Sequence, residues 1–502
     1  MSPTHFERFI GRYSLGRDSN PLSITGSPHF LRVKVPGGMI SADQFRRVAQ
    51  LTRTYSRGRA EITNRQSIQL HWVEADDAPD IFAELERIGF TTDMCGQGFS
   101  GARLGDVRNI VCCPTSGIAK NEILDGSSLL KMLTEFFVGN PDFLDLPRKI
   151  KFSISGCGCN CTRAWINDVA FVAVSKGDET GYTLLIGGSS GTSLPGPRMA
   201  QPTGVFIEPE KAFDLAVAIA EIHRDYGNRE SRRKARLKWL IEEWGLDRFL
   251  RVLEKKIGCQ FEDYDGPVFN DNGDHGSIQQ QSENGYHVSI PLVGGRLSSE
   301  QMNLIADHSV KYGSGELRLT PTQNIIIPNV ETVDILTGQL ENHFTLRGPR
   351  LKWTSIACSS DFCGKSVEPH AKKLLVDIVE HLESRFTPQM LDETRVRIHV
   401  SGCINNCCPA NTAEIGLIGK QIKVDGETRQ TYDILLGGSL GVDPSFSRLI
   451  EAKVNPTEIK FRIASLLDNF VQRKTPEQSF NEFCDLSGEK ELQRFLGMED
   501  GE

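Results

Sequence analysis

Apolar and polar residues along this chain alternate in short runs, switch to helical spacing, then alternate again, and the whole succession occurs twice. Leu31-Arg32-Val33-Lys34-Val35 puts apolar side chains on one face and basic ones on the other, which predicts a half-buried strand ending at Pro36-Gly37-Gly38. Ser41 then caps a helix whose apolar side is Phe45, Val48, Ala49 and Leu51. Alternation resumes from Ile62 to Trp72 and predicts a second strand, and residues 80–92 read as a helix returning to the sheet. Residues 287–330 repeat strand, helix and strand. The pattern is a small α+β sandwich made twice.

Two larger modules begin near residues 105 and 350. Each offers a cysteine-bearing loop, a long helix (Ser127–Phe137; Ala371–Arg385), a strand into a Ser-Gly-Cys turn, two further strands and a glycine pair (Gly187-Gly188; Gly437-Gly438). Between the halves, Glu221 to Lys256 reads as a charged helical stretch. The loop from Asp263 to Asn284, rich in Gly, Asp, Asn and Gln, is the linker candidate.

The duplication is also written in the residues. At an offset of 257, Ser41-Ala42-Asp43-Gln44 recurs as Ser298-Ser299-Glu300-Gln301, and Gln66 meets Gln323. At an offset of 246, Cys112, Cys157 and Cys161 become Cys358, Cys403 and Cys407, and only the second half adds Cys363. Two copies of this length are not a solenoid but two similar modules about a pseudo-twofold axis. Four thiolates can hold an iron–sulfur cubane and three cannot, so the second half is expected to carry a cluster and the first to be its relic. Spacing alone leaves structural zinc open. Isolated Cys95, Cys259 and Cys484 read as buried apolar thiols, and Cys159 and Cys408 are extra thiols with no assigned role.

Composition narrows the partners. With 502 residues, 39% hydrophobic and 24% charged, the chain is an ordinary globular protein with room for several domains. A net charge of −8 argues against nucleic acid. No apolar run is long enough to span a membrane and no secretory signal opens the chain, and thirteen cysteines then point to reduced thiols; the expected location is the cytoplasm. Within this acidic chain, Lys149 and Lys151 share one face of a strand opposite Ile150 and Phe152, and Arg32, Arg65 and Arg108 sit at neighbouring seams. Five converging cations call for a polyanionic ligand.

At these residues the chain resembles the sulfite/nitrite reductase hemoprotein family. The resemblance is carried by Leu31 to Gly38, Ile62-Thr63-Asn64-Arg65-Gln66-Ser67-Ile68-Gln69, Arg108-Asn109-Ile110-Val111, Leu146-Pro147-Arg148-Lys149-Ile150-Lys151, Arg224 to Arg229, and Val400-Ser401-Gly402-Cys403-Ile404-Asn405-Asn406-Cys407. It covers residues 25–470 and implies an internally duplicated α+β fold: two ferredoxin-like half-domains (20–95 and 276–345) and two larger α/β sandwich modules (100–262, without the cluster, and 346–502, with it). It implies siroheme and a 4Fe–4S cluster, the latter on Cys358, Cys363, Cys403 and Cys407, with Cys407 also the proximal siroheme ligand. Thr63, Arg65 and Gln69 are implied to meet the macrocycle and its carboxylates, and Arg32, Arg108, Lys149 and Lys151 to bind the oxyanion. The implied reaction is six-electron reduction of sulfite to sulfide, or of nitrite to ammonia. A lysine at the position of Lys151 resembles the sulfite reductases, asparagine there the nitrite reductases.

The chain departs from the family in two places. Only four residues separate Cys358 from Cys363, where five are usual, and Glu61 stands where an arginine is expected to meet a siroheme carboxylate. No glycine-rich dinucleotide fingerprint sits in a strand–turn–helix context, so electrons are expected from a separate ferredoxin or flavoprotein. Arg229, Arg232, Arg233 and Arg236, at helical spacing, are the candidate donor face. The competing readings are a precorrin-3B synthase-like enzyme, a dissimilatory sulfite reductase subunit and a non-catalytic siroheme or iron–sulfur carrier.

Overall fold

The computed structural model describes residues 12–17, 29–93, 105–120, 122–192, 195–269, 278–280, 285–362 and 366–497. In chain order the first half-domain comprises β1 (His29–Lys34), β2 (Met39–Ser41), α1 (Ala42–Tyr55), β3 (Arg59–Ile62), β4 (Ile68–Val73) and α2 (Ala78–Arg87). The first large module follows with β5 (Val111–Cys112), α3 (Ser127–Phe137), β6 (Phe152–Ser155), β7 (Val169–Lys176), β8 (Glu179–Ile186), α4 (Ala212–Tyr226), α5 (Leu237–Trp244) and α6 (Leu246–Ile257). The second half-domain has β9 (Tyr286–Ile290), β10 (Arg296–Ser298), α7 (Ser299–Tyr312), β11 (Glu316–Leu319) and β12 (Ile325–Val330). The second large module has β13 (Ile356–Ala357), α8 (Ala371–Arg385), β14 (Ile398–Ser401), β15 (Ile415–Val424), β16 (Glu427–Leu436) and α9 (Pro456–Arg473).

The half-domains exchange strands, which the linear pattern does not show. β10 of the second half pairs with β3 of the first, and β2 of the first pairs with β11 of the second, both antiparallel. Each half-sheet is therefore completed by its twin, and neither half-domain is self-contained. Gly38 permits the crossing: it has φ +74°, and a Cβ there would stand 2.2 Å from the Leu319 carbonyl oxygen. Helices α1 and α7 begin with the same capping box, Ser41/Gln44 and Ser298/Gln301, and pack together over one apolar core shared by both sheets. Each fully buried Phe, Leu or Ile in that core contributes about 1.5–3 kcal/mol.

The alternation from Ile62 to Trp72 is not one strand. It is an antiparallel hairpin, β3–β4, with Ala60 opposite Leu70, and residues 63–67 form its turn with Gln66 at φ 56°. The alternation is unbroken because the chain re-enters the same sheet in phase. The large modules are five-stranded mixed sheets, β5 parallel to β6 and β6 parallel to β7 in the first, with the same pairings for β13, β14 and β15 in the second. Buried Gln66 ties the halves: its Nε2 donates to the Gly37, Cys112 and Leu319 carbonyls and its Oε1 accepts from Cys112 N–H. Gln323 does the same to Ile62 and Ala357. Leaving any one such buried group unmatched costs about 1–3 kcal/mol.

Candidate active site

The first half-sheet buries Leu31, Val33, Ala60, Ile62, Ile68 and Leu70 on one face. Its other face carries polar side chains toward the interior of the molecule. Strand register sets Arg32, Gln69, Glu61 and Arg296 side by side in one row across four strands. Arg32 donates to Gln69 Oε1 at 3.2 Å. The equivalent row in the second half-sheet is Arg318 flanked by Ile326 and Met39, so among the described residues the polar row belongs to the first half-sheet.

Glu61 is turned inward. It is fully buried, with Arg296 Nε at 2.9 Å, Lys372 Nζ at 3.2 Å and His71 Nε2 at 3.3 Å. The carboxylate that replaces the expected arginine is thus consumed in a buried ion cluster bridging the first half-sheet and the second large module.

Against the same sheet stands the cationic segment. Lys149 and Lys151 precede β6 rather than lie within it, but Ile150, bridged to Val107, faces the core and leaves both lysines on the opposite side. Burial, with Arg108 and Arg236 nearby, pushes the Lys149 ammonium down to about 8. Burial, then Arg65 and Lys149, depresses Lys151 further. Among the described residues no carboxylate pairs with either ammonium. The other cations are partly balanced: Arg32 and Arg108 share Asp93 at 3.5 and 3.7 Å, and Arg108 also meets Asp106 at 3.2 Å. Arg65, on the hairpin turn with Thr63, donates to Asn167 Oδ1 and the Asn109 carbonyl, while its buried Nε has no acceptor among the described residues. Thr63 Oγ1 holds that turn by accepting from Ser67 N–H at 3.1 Å.

Cysteines of the other half reach this face. β14 runs into Gly402, where a Cβ would stand 2.3 Å from the Ser360 side chain; only glycine lets the two cysteine loops approach. Gly402 N–H donates to Cys358 Sγ at 3.2 Å. Burial, then the nearby Cys407, raises the Cys358 thiol to about 12. Asn406, left-handed at φ 49°, turns the loop, and its amide donates to the Ser190 carbonyl. Asn64 of the hairpin turn donates to the Cys407 carbonyl at 2.9 Å, so the turn bearing Thr63 and Arg65 touches the loop bearing the exposed Cys407. Cys363 and Cys95 lie outside the described residues. Cys408 points inward to the Ile356 carbonyl and Cys484 sits in the apolar core, so neither joins the site.

Two expectations are corrected. Residues 227–236 form turns, not helix, so Arg229, Arg232, Arg233 and Arg236 share no helical face. Arg236 instead turns into the site, paired with buried Asp168 at 2.7 Å, and Asp168 also accepts from Lys151 N–H at 2.9 Å. Its helical spacing concealed this role. The second correction concerns register. β5 pairs with β6 so that Cys112 lies opposite Ile154, while Ala357 lies opposite Val400, which makes Cys113, not Cys112, the counterpart of Cys358. The first half then gathers Cys113, Cys157 and Cys161, with Cys159 beside them: four thiols, not three.

The donor set suits an anionic macrocycle joined to a thiolate-bound cluster: guanidinium and ammonium groups on one wall, including the unmatched Arg65 Nε, and thiols on the other. No described helix is long and apolar enough to cross a membrane. The nitrite and sulphite reductase 4Fe-4S domain model matches residues 104–261, and the nitrite/sulfite reductase ferredoxin-like half domain matches residues 25–88 and 278–337. The assimilatory ferredoxin-dependent nitrite reductase of Haloferax mediterranei is 30% identical, over 91% of this chain and 82% of its own length. The ferredoxin-type sulfite reductase of Mycobacterium tuberculosis is also 30% identical, over 95% and 85%. The solved structure of the Mycobacterium tuberculosis NirA protein superposes with a TM-score of 0.87 at 28% identity, covering 98% of this chain and 92% of that one. The duplicated sheets, the cationic wall and these likenesses together place the chain in the sulfite/nitrite reductase hemoprotein family, whose siroheme and 4Fe–4S cluster are its cofactors.

Proposed function

We propose that this enzyme reduces sulfite to sulfide with six electrons from an external ferredoxin-type donor. The observation that carries the reading is the Lys149–Lys151 pair, half-buried and without a carboxylate partner among the described residues. Sulfite, six electrons and seven protons give hydrosulfide and three waters, so the site must bind a dianion and supply protons. Cys358, Cys363, Cys403 and Cys407 would hold the cluster, with Cys407 also ligating siroheme, and Thr63, Arg65 and Gln69 would meet the macrocycle. The cofactors supply the electrons and the iron that takes the substrate. Arg32, Arg108, Lys149 and Lys151 bind and orient its oxygens. Lys149, poised near neutrality, can release a proton to a departing oxygen and regain one from solvent.

Lys151 sets the preference. Burial beside Arg65 and Lys149 disfavours its ammonium, and a doubly charged substrate next to it restores that charge more strongly than singly charged nitrite does. Replacing Lys151 with Asn should cut kcat/KM for sulfite by about 2–4 kcal/mol of transition-state stabilisation while costing nitrite less. An unaltered sulfite-to-nitrite ratio would remove Lys151 from the substrate pocket. Nitrite is the second reading, favoured by the Haloferax relative and by the ferredoxin–nitrite reductase of Leptolyngbya laminosa, 31% identical over 87% of this chain. A wild-type ratio favouring nitrite would establish it.

Lys149 gives the pH dependence. Its ammonium is pushed down to about 8, so the protonated form is lost as pH rises through that value. Nitrite, which stays ionised across this range, is the substrate to use. Its kcat/KM should fall above about pH 8, and Lys149→Arg should move that limb to higher pH because guanidinium stays protonated. The same limb in both proteins would assign the titration elsewhere.

A further inference from the structure

The four thiols of the first half lie outside the active site, and nothing in the proposed reaction uses them. Their placement is not accidental. Cys113 N–H donates to the Ile154 carbonyl at 3.0 Å, as Cys358 N–H does to Val400 at 3.1 Å, so this loop repeats the cluster-side architecture. Cys113, Cys157 and Cys161 are buried with their sulfurs all within 4.8 Å of one another, and Cys113 and Cys157 stand 3.7 Å apart. Cys159, half-buried, brings a fourth sulfur 2.9 Å from Cys157.

We infer that these four cysteines form a second metal site, separate from the catalytic cluster, that binds one tetrahedral thiophilic ion such as zinc or iron. A four-thiolate set selects such metals. Sulfurs about 2.3 Å from a shared tetrahedral ion are about 3.8 Å apart, which the Cys113–Cys157 pair already matches. Cys157 and Cys159 must separate by about 1 Å and Cys159, which stands outside the 4.8 Å group, must close on the remaining sulfurs; at 2.9 Å Cys157 and Cys159 are too far apart to be a disulfide, whose S–S bond is about 2.05 Å. A cubane binds each thiolate to a different iron and holds the sulfurs wider. The active-site thiols Cys358, Cys403 and Cys407 are wider in this sense: they do not all come within 4.8 Å of one another, whereas Cys113, Cys157 and Cys161 do. With four protein ligands the ion has no open position, so its role is structural. The loop it would fix carries Asn160 and Trp165, whose side chains donate to the Leu440 and Gly441 carbonyls of the second large module. The ion thereby braces the contact between the two halves.

The test is a metal, acid-labile sulfide and free-thiol count on anaerobically purified holoenzyme, repeated on the Cys161→Ser and Cys403→Ser variants. Siroheme and one cubane account for about five irons and four sulfides. The native protein should hold one further zinc or iron without further sulfide. That ion should persist in Cys403→Ser, where the cubane is lost, and be absent from Cys161→Ser, where the siroheme absorption and the cubane sulfide stay. The native count needs no variant, so misfolding cannot obscure it. No ion beyond the five irons, or a Cys157–Cys159 disulfide found by mass spectrometry in the native protein, overturns the site. Four extra irons with four extra sulfides overturn the single-ion assignment.

Discussion

Cys407→Ser is expected to abolish sulfite and nitrite turnover with ferredoxin and with a small reduced dye alike. Cys407 is the exposed thiol of the cysteine loop, and Asn64 of the hairpin turn holds its backbone against the first half-sheet. One sulfur at that seam would serve both cofactors, and a serine hydroxyl is a poor ligand for a metal that selects thiolate. Activity should fall to the background with both donors, whereas a donor-docking defect would spare the dye. Iron and acid-labile sulfide should drop by about one cubane per chain. Full iron content with full dye activity would remove Cys407 from the site. Ser401, whose hydroxyl donates to the Cys403 carbonyl, is a neighbouring control whose loss should leave iron content near wild type.

Much of this architecture is legible in the residues because duplication writes the same physics twice. The strand–helix–strand pattern at an offset of 257 maps β1, β3, β4 and α1 onto β9, β11, β12 and α7, and the helix limits Ser127–Phe137 and Ala371–Arg385 agree with the pattern. What the pattern cannot carry is anything fixed by pairing between distant segments. The exchange of β2 and β10 leaves no mark on local periodicity, since a strand is equally amphipathic whichever sheet it joins. The Ile62–Trp72 hairpin kept phase through its turn and so read as one strand. A constant offset slipped by one residue at Cys112, because the loop between Cys113 and β6 differs in length by one from its twin, and only the ladder shows that Cys113 is the true counterpart of Cys358. Arg236 was misplaced for a similar reason: its spacing is helical, but Asp168, sixty-eight residues away, decides where it points. Cys159 escapes for a different reason: the repeat places Asn405 at its position in the second half, so nothing pairs it and it reads as an extra thiol.

The second large effect is on stability, at Glu61. Burial alone would raise this carboxyl, but Lys372, His71 and Arg296 outweigh it and hold it well below the usual carboxylate range. Glu61 and Lys372 are both essentially inaccessible and 3.2 Å apart, so each is the other's principal compensation for lost hydration. Glu61→Gln strands the Lys372 ammonium in the interior with, among the described residues, only the Gly294 carbonyl as its hydrogen-bond acceptor, and leaves Arg296 to Asp361. The expected loss is about 3–5 kcal/mol, read as a lower midpoint in urea. Because the folded carboxyl is depressed, its contribution is complete above the ordinary Glu range near 4.5 and disappears as pH falls below it. The gap between wild type and Glu61→Gln should therefore be full at neutral pH and close on acidification. Combining Glu61→Gln with Lys372→Met should restore most of the loss, since an apolar side chain needs no counterion, and the double-mutant cycle isolates the pair. Losses that simply add would mean that Glu61 acts through Arg296 and His71 instead, and that the bridge between the first half-sheet and the second module runs through β10 rather than α8.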